Sequence, residues 1–117
     1  MISLTEVRAS KFITCFKNRI PSWDDQTVHS IAFILTSISE DDISAFKYTE
    51  KGVILDHSVD KYESDICINY VEKIKSVPAN VIVEASKKLW RYYGGESVEF
   101  NQEERNLLKV LGVPKFQ

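Results

Sequence analysis

Residues 59–95 decide the fold class, and they read VDKYESDICINYVEKIKSVPANVIVEASKKLWRYYGG. Apolar side chains in the first half recur at steps of three or four residues, at Val59, Tyr62, Ile66, Tyr70, Ile74 and Val77. This spacing places them on one face of an amphipathic α-helix. Pro78 interrupts that helix and can take the first position of the next one, where its missing N–H costs nothing. The stretch therefore predicts two consecutive helices, the second ending at Gly94–Gly95.

Two further apolar stripes towards the N-terminus predict two more helices. The first stripe consists of Ala9, Phe12, Ile13, Phe16 and Ile20, and the second of Val28, Ile31, Ala32, Leu35 and Ile38. Pro21 ends the first helix, because its ring disfavours helical geometry in the residue before it. Ser22 or Asp24 can cap the second helix by accepting a hydrogen bond from one of its exposed N–H groups.

The C-terminal region predicts a last helix. Asn101 and Glu104 are three residues apart, which is the spacing of a capping box. Gly112 is a suitable stop, because glycine adopts the left-handed turn that ends many helices. The buried side of this helix would consist of Leu107, Leu108 and Leu111.

The element between residues 39 and 55 has two interpretations. Ser39 precedes three acids, a pattern that suits the positive end of a helix dipole. In that case Ile43 and Phe46 would face the core and Gly52 would end the helix. The alternative is a β-hairpin, with apolar residues on either side of a turn formed by residues 49–52.

These elements predict a mainly α fold, a compact bundle of five or six short helices, with one small β-hairpin around residues 45–55 as the alternative for the third element. The chain has 117 residues, of which 44% are hydrophobic and 27% charged. This composition suits one helical domain over residues 1–117. The sequence shows no repeat, low-complexity tract or linker that would divide it.

The charge distribution indicates a candidate binding surface. The net charge is only −2, but residues 21–65 contain ten acids and three lysines, a local charge of −7. Clustered acids attract a basic partner and raise its association rate. A solvated surface is the alternative, and helix starts alone explain Asp41 and Asp42. The candidate partner-binding acids are Asp41, Asp42, Glu50, Asp56, Asp60, Glu63 and Asp65.

Aromatic residues at the end of the second quoted helix form another candidate. Trp90 and Tyr93 lie three residues apart, on a face next to the expected core side. Trp, Tyr and Arg are the residue types most often found as interface hot spots. The alternatives are burial in the core and, because Lys87, Lys88 and Arg91 are close in sequence, stacking on nucleic-acid bases.

The sequence contains no recognisable catalytic or metal-binding constellation. His29 and His57 are its only imidazoles, and neither has a second His or Cys at metal-ligand spacing. His29 is expected to pair with Asp25, one helical turn earlier. Cys15 and Cys67 are expected to be buried and reduced. We therefore expect no enzymatic activity, no cofactor and no metal.

The sequence also indicates a cytoplasmic protein without a membrane partner. The longest apolar run is residues 31–35, much shorter than the roughly 18 residues that a membrane-spanning helix needs. Residues 1–8 lack the charged, then apolar, then small-residue order of a signal peptide.

These observations favour a small acidic binding protein that covers the active site or nucleic-acid groove of a basic toxin or nuclease. The profile is similar to that of immunity proteins and antitoxins, although no motif matches a particular family. One alternative is a nucleic-acid-binding protein that uses the basic and aromatic stretch 73–93, which the sequence pI near 5.7 disfavours. The other is a structural subunit that self-associates through Trp90 and Tyr93. The partner and the oligomeric state do not follow from the sequence.

Overall fold

The computed structural model describes residues 4–37, 46–49, 52–55 and 66–117 of the chain. These residues form five α-helices and one antiparallel hairpin, which confirms the mainly α prediction. The elements are α1 (Leu4–Arg19), α2 (Asp25–Ser37), β1 (Phe46–Thr49), β2 (Gly52–Leu55), α3 (Ile66–Ile74), α4 (Ala79–Tyr93) and α5 (Gln102–Val110), followed by a 3₁₀ turn at Pro114–Phe116.

Helix α2 lies at the centre of the fold, packed against α1, α4 and β2. Its predicted stripe is buried as far as the structure describes it, and Ile38 lies outside the described residues. Phe33 and Ile34, which the stripe left out, are also fully buried, because neighbours cover α2 from several directions. Asp24 is the cap: its Oδ1 accepts hydrogen bonds from the Thr27 backbone N–H (2.9 Å) and hydroxyl (2.7 Å).

The hairpin decides between the two interpretations of residues 46–55. Phe46 pairs with Leu55 and Thr49 with Gly52, so the strands are joined at the turn that the hairpin interpretation predicted. Gly52 has a φ of 121°, which favours glycine. The helical interpretation is therefore wrong for Phe46 and Gly52. The proposed helix start at residues 39–42 lies outside the described residues.

The remaining helices follow the predicted periodicity with small shifts. Helix α3 is described from Ile66 onward, and the predicted face residues before it lie outside the described part. Pro78 is the N-cap of α4, one residue earlier than predicted. The left-handed turn after α4 falls on Gly95, with a φ of 94°. Asn101 and Glu104 form both hydrogen bonds of the predicted capping box.

Two expectations about polar side chains are wrong. His29 Nδ1 lies 2.7 Å from the backbone oxygen of Asp25, whereas the Asp25 carboxylate pairs with Lys17 Nζ at 3.2 Å. Cys15 is buried, as expected, but it is disulfide-bonded rather than reduced. The sequence contains one other cysteine, Cys67. No helix among the described residues is long and apolar enough to cross a membrane.

Candidate functional site

Five aromatic residues meet where α2, the hairpin and α4 join, and we call them the aromatic cluster: Phe33, Phe46, Tyr48, Trp90 and Tyr93. Phe33 is fully buried and lies at the centre. Its ring centroid is 5.3 Å from that of Phe46, 5.7 Å from Trp90 and 6.4 Å from Tyr93. Edge-to-face and tilted pairs at these distances are favourable beyond simple burial.

The outer side of the aromatic cluster is exposed. Tyr48 is 45% exposed and Tyr93 41% exposed, while Trp90 is half-buried between them and the core. The Tyr48 ring stacks on Trp90 with a centroid distance of 6.4 Å. The cluster therefore has a rigid buried base and an exposed aromatic rim, an arrangement that suits interface hot spots.

The structure brings together the two aromatic residues that the sequence identified and adds others. Trp90 and Tyr93 both contact Phe33, so they belong to one site. Sequence reasoning missed Tyr48, although residues two apart in a strand share a face and Phe46 is its neighbour at that spacing. It also missed Phe33, because the three-to-four-residue stripe of α2 did not include it.

Tyr93 also contacts the end of α2. Its hydroxyl donates to Ser37 Oγ at 3.4 Å, and Ser37 Oγ donates to the backbone oxygen of Ile34 at 2.8 Å. Residues 38–45 lie outside the described part of the chain, and the described residues on either side of them are Ser37 and Phe46. Both attachment points of this segment are thus in contact with the aromatic cluster.

The predicted acidic residues all lie outside the described part of the chain. The described residues carry 13 basic and nine acidic side chains, a net charge of +4. The other 23 residues carry eight acids and two lysines, a net charge of −6. The predicted acids concerned are Asp41, Asp42, Glu50, Asp56, Asp60, Glu63 and Asp65.

The basic residues of the stretch 73–93 do not gather into one cationic face. Three of the five form ion pairs with glutamates. These pairs are Lys75–Glu72 at 3.0 Å, Lys87–Glu84 at 3.8 Å and Lys88–Glu104 at 2.7 Å. Lys73 Nζ lies 5.8 Å from the centroid of the Tyr70 ring. Three of the five cations of this stretch are therefore already paired with carboxylates, and Lys73 and Arg91 form no ion pair with a described residue.

The described residues contain no group of three His, Cys, Asp or Glu side chains placed to hold a metal ion. No protein-family model, curated protein or solved structure matches the chain. The aromatic cluster and the charges around it are the features of the described residues that bear on function.

Proposed function

We propose that this chain is a small protein-binding module of the immunity-protein or antitoxin type, which inhibits a basic toxin or nuclease by covering its active site or nucleic-acid groove. The observation that carries the proposal is the attachment of residues 38–45 to the aromatic cluster at both ends, through Ser37 and Phe46. That segment contains three consecutive acids, and the cluster exposes two tyrosine rings.

The chain length limits how far these acids can lie from the aromatic cluster. Asp41 is four residues from Ser37, and Asp42 is four residues from Phe46. Four extended residues span at most about 14 Å. Carboxylates and aromatic rings within such a distance fit within a single interface, which typically involves 20–30 residues a side, as an order of magnitude.

The second acidic segment, residues 56–65, begins at the same end of the hairpin. Asp56 follows Leu55 directly, and Leu55 is paired with Phe46. The two segments are therefore joined in sequence to paired residues, residues 38–45 to Phe46 and residues 56–65 to Leu55. Both acid-rich segments therefore meet the described part of the chain beside the aromatic cluster.

The proposed mechanism is occlusion by charge and shape. Carboxylates would take the positions of phosphates or substrate anions on the basic partner, and their field would speed association. The rims of Tyr48 and Tyr93, backed by Trp90, would supply the dry contact area that holds the complex. The buried base of the aromatic cluster keeps these rings in place before binding, which lowers the entropy lost on association.

Nucleic-acid binding through residues 73–93 has less support. Lysines held in ion pairs release fewer counterions on meeting a phosphate backbone, and counterion release supplies most of the non-specific affinity. Trp90 packs on Phe33 and Tyr48, so much of its ring is already occupied by contacts within the protein. Self-association through the exposed tyrosines is a further outcome that the experiment below distinguishes.

The test is co-expression of the full chain with the basic proteins encoded by neighbouring genes. Complex formation is measured by size-exclusion chromatography, and inhibition by an assay of the partner's nuclease or toxic activity. The charge-reversal variant combines Asp56→Lys, Asp60→Lys and Asp65→Lys, and the aromatic variant combines Tyr48→Ala and Tyr93→Ala. The control carries the same charge change at Glu96, Glu99 and Glu103, which are exposed and distant in sequence.

We expect one stoichiometric complex that both variants weaken by about thirtyfold or more, the effect of losing a hot spot of roughly 2 kcal/mol. The control should bind like the natural chain. Absence of a complex with every basic neighbour, or binding that survives the charge reversal, would contradict the mechanism. A homodimer that the aromatic variant separates, with no heterocomplex, would instead support the self-association alternative.

The cytoplasmic location is part of this proposal, and Cys15 tests it. Disulfides persist mainly in oxidising compartments and are rare in the cytosol. The structure has Cys15 disulfide-bonded. Acid quenching of cells, followed by alkylation of free thiols under denaturing conditions and mass spectrometry, should find Cys15 alkylated if the protein works in the cytoplasm. A protected Cys15 would place it in an oxidising compartment.

A further inference from the structure

A cavity of about 570 Å³ lies between the last turn of α4, residues 98–102, α5 and the 3₁₀ turn. It shares no residue with the aromatic cluster, although the ring centroids of Tyr92 in the cavity and Tyr93 in the cluster are 5.8 Å apart. Its volume is in the range of small-molecule sites, roughly 300–1,000 Å³. Its lining includes three cations and three aromatic rings, and the other four residues are Val98, Gln102, Asn106 and Gln117.

The cations are Arg105 and Lys109 of α5 and Lys115 of the 3₁₀ turn. Within the described part of the chain none of the three pairs with a carboxylate, unlike Lys75, Lys87 and Lys88, and none of the residues that line the cavity is acidic. The nearby carboxylate of Glu104 is engaged elsewhere, buried against Lys88. The three cations of the cavity are therefore not held in ion pairs with described side chains.

Arg105 is held in position by the backbone. Its Nε donates to the carbonyl oxygen of Phe100 at 3.0 Å. This bond leaves the two terminal NH₂ groups of the guanidinium available, and their fork geometry matches a phosphate. The side-chain amide of Gln117 donates to the backbone oxygens of Lys109 and Val113, at 3.0 and 3.3 Å. Of these two carbonyl groups, that of Lys109 belongs to the last turn of α5, whose negative dipole end would oppose an anion.

The aromatic rings supply apolar walls. Phe100 and Phe116 meet edge to face, with centroids 5.0 Å apart and an interplanar angle of 77°. Lys115 Nζ lies 4.9 Å from the centroid of Tyr92. All three rings are half-buried, so each is held by the protein and still presents part of its surface. A planar group bound here would be able to stack on a ring while its charged end meets the cations.

We propose that this cavity binds a free nucleoside phosphate, with the phosphate on Arg105, Lys109 and Lys115 and the base against the aromatic walls. Inorganic phosphate would leave the rings unused, and a neutral nucleoside would leave the cations unused. A nucleotide uses both. The proposal does not depend on protein binding through the aromatic cluster, so either can fail while the other stands.

The test is isothermal titration calorimetry of the full chain with AMP, ATP, adenosine, inorganic phosphate and a ten-residue single-stranded oligonucleotide at one ionic strength. We expect AMP or ATP to bind about tenfold or more tightly than adenosine or inorganic phosphate. Adenosine lacks the contacts with the cations and phosphate lacks the contacts with the rings, so each loses at least one favourable interaction. Equal binding of phosphate and nucleotide would reduce the site to a simple anion contact and overturn the proposal. Tight binding of the oligonucleotide without binding of the mononucleotides would overturn it in favour of nucleic acid.

Variants identify the cavity as the place of binding. Lys109→Gln combined with Lys115→Gln should lower nucleotide affinity by about tenfold or more. Lys73→Gln combined with Lys75→Gln makes the same charge change outside the cavity and should leave the affinity unchanged. An equal loss in this control would indicate non-specific screening and contradict the proposal. Phe116→Leu should weaken nucleotide binding but not phosphate binding, with the circular dichroism spectrum confirming that the variant is folded.

Discussion

Helices α2 and α5 are stabilised by opposite means. In α2, ten of 13 residues are buried, and contacts with α1, α4 and β2 surround it. In α5, only one side is buried, and a capping box and an ion pair fix its first turn. Nonlocal apolar packing thus determines α2, whereas α5 depends in addition on polar contacts of its first turn, one within the turn and one to Lys88 of α4. This difference predicts where substitutions will act most strongly and which features a sequence reveals.

The largest expected effect comes from removing the ring at the centre of the apolar packing. Phe33→Ala should lower the free energy of unfolding by about 3–5 kcal/mol, because it creates a cavity beneath three other rings. Chemical denaturation monitored by tryptophan fluorescence measures the loss, and the native emission should also shift as Trp90 loses its support. Val110→Ala, on the exposed side of α5, is the control and should change stability by less than about 0.5 kcal/mol. Similar decreases in the free energy of unfolding for Phe33→Ala and Val110→Ala would contradict the difference between α2 and α5.

The buried carboxylate of α5 should give the next largest effect. Glu104 is 2% exposed, and one of its oxygens accepts hydrogen bonds from Lys88 Nζ (2.7 Å) and from the Asn101 backbone N–H (2.8 Å). Glu104→Ala removes both and should cost about 2–3 kcal/mol by chemical denaturation. Glu104→Gln keeps the capping residue type but not the charge, and should cost about half as much. Glu103→Ala, exposed in the same turn, is the control.

A Glu104→Ala cost no larger than that of Glu103→Ala would show that solvent replaces these hydrogen bonds freely. The polar contacts of its first turn would then not be what stabilises α5, and the contrast with α2 would disappear. A double-mutant cycle of Glu104→Ala with Lys88→Met separates the contribution of the ion pair to the free energy of unfolding from that of the capping box.

The same contrast explains which features the sequence revealed. The capping box of Asn101 and Glu104 was predictable because both partners lie within one turn. Residues 46–55 were ambiguous because four-residue segments are too short for periodicity to decide between helix and strand. The full burial of Phe33 was missed because it depends on α4 and the hairpin, which approach α2 from distant parts of the sequence. Trp90 and Tyr93 were identified by residue type, but Tyr48 needed the tertiary contact.

A smaller effect is expected at the start of α2, where a local polar contact assists the packed helix. The hydrogen bonds from the Thr27 hydroxyl and backbone N–H lower the pKa of Asp24 below its ordinary value of 3.8. Because the folded state favours the carboxylate, Asp24 stabilises the protein at neutral pH. This contribution declines as the pH falls below about 3.8 and is gone below the lowered pKa. Asp24→Ala should cost about 1 kcal/mol at pH 7.

Denaturation of Asp24→Ala and the natural chain between pH 7 and pH 2 measures this dependence. The difference between them should narrow at the acid end of that range. Asp24→Asn, which retains a capping side chain but cannot ionise, should fall between the two at pH 7. A difference that is the same at every pH would mean that the charge of Asp24 contributes nothing to the cap.

The smallest effect should come from the polar groups inside the apolar packing. The hydroxyls of Ser30 and Ser86 are buried and have no hydrogen-bond partner among the described residues. A buried hydroxyl without a partner is unfavourable, so Ser30→Ala and Ser86→Ala should leave the free energy of unfolding unchanged or raise it by up to about 1 kcal/mol. Ser37→Ala is the matched control, because that hydroxyl is bonded to Ile34 and Tyr93, and it should cost about 1 kcal/mol. If Ser30→Ala lowered the free energy of unfolding as much as Ser37→Ala, the Ser30 hydroxyl would be making a stabilising hydrogen bond. Apolar contacts alone would then not account for the stability of the buried part of α2.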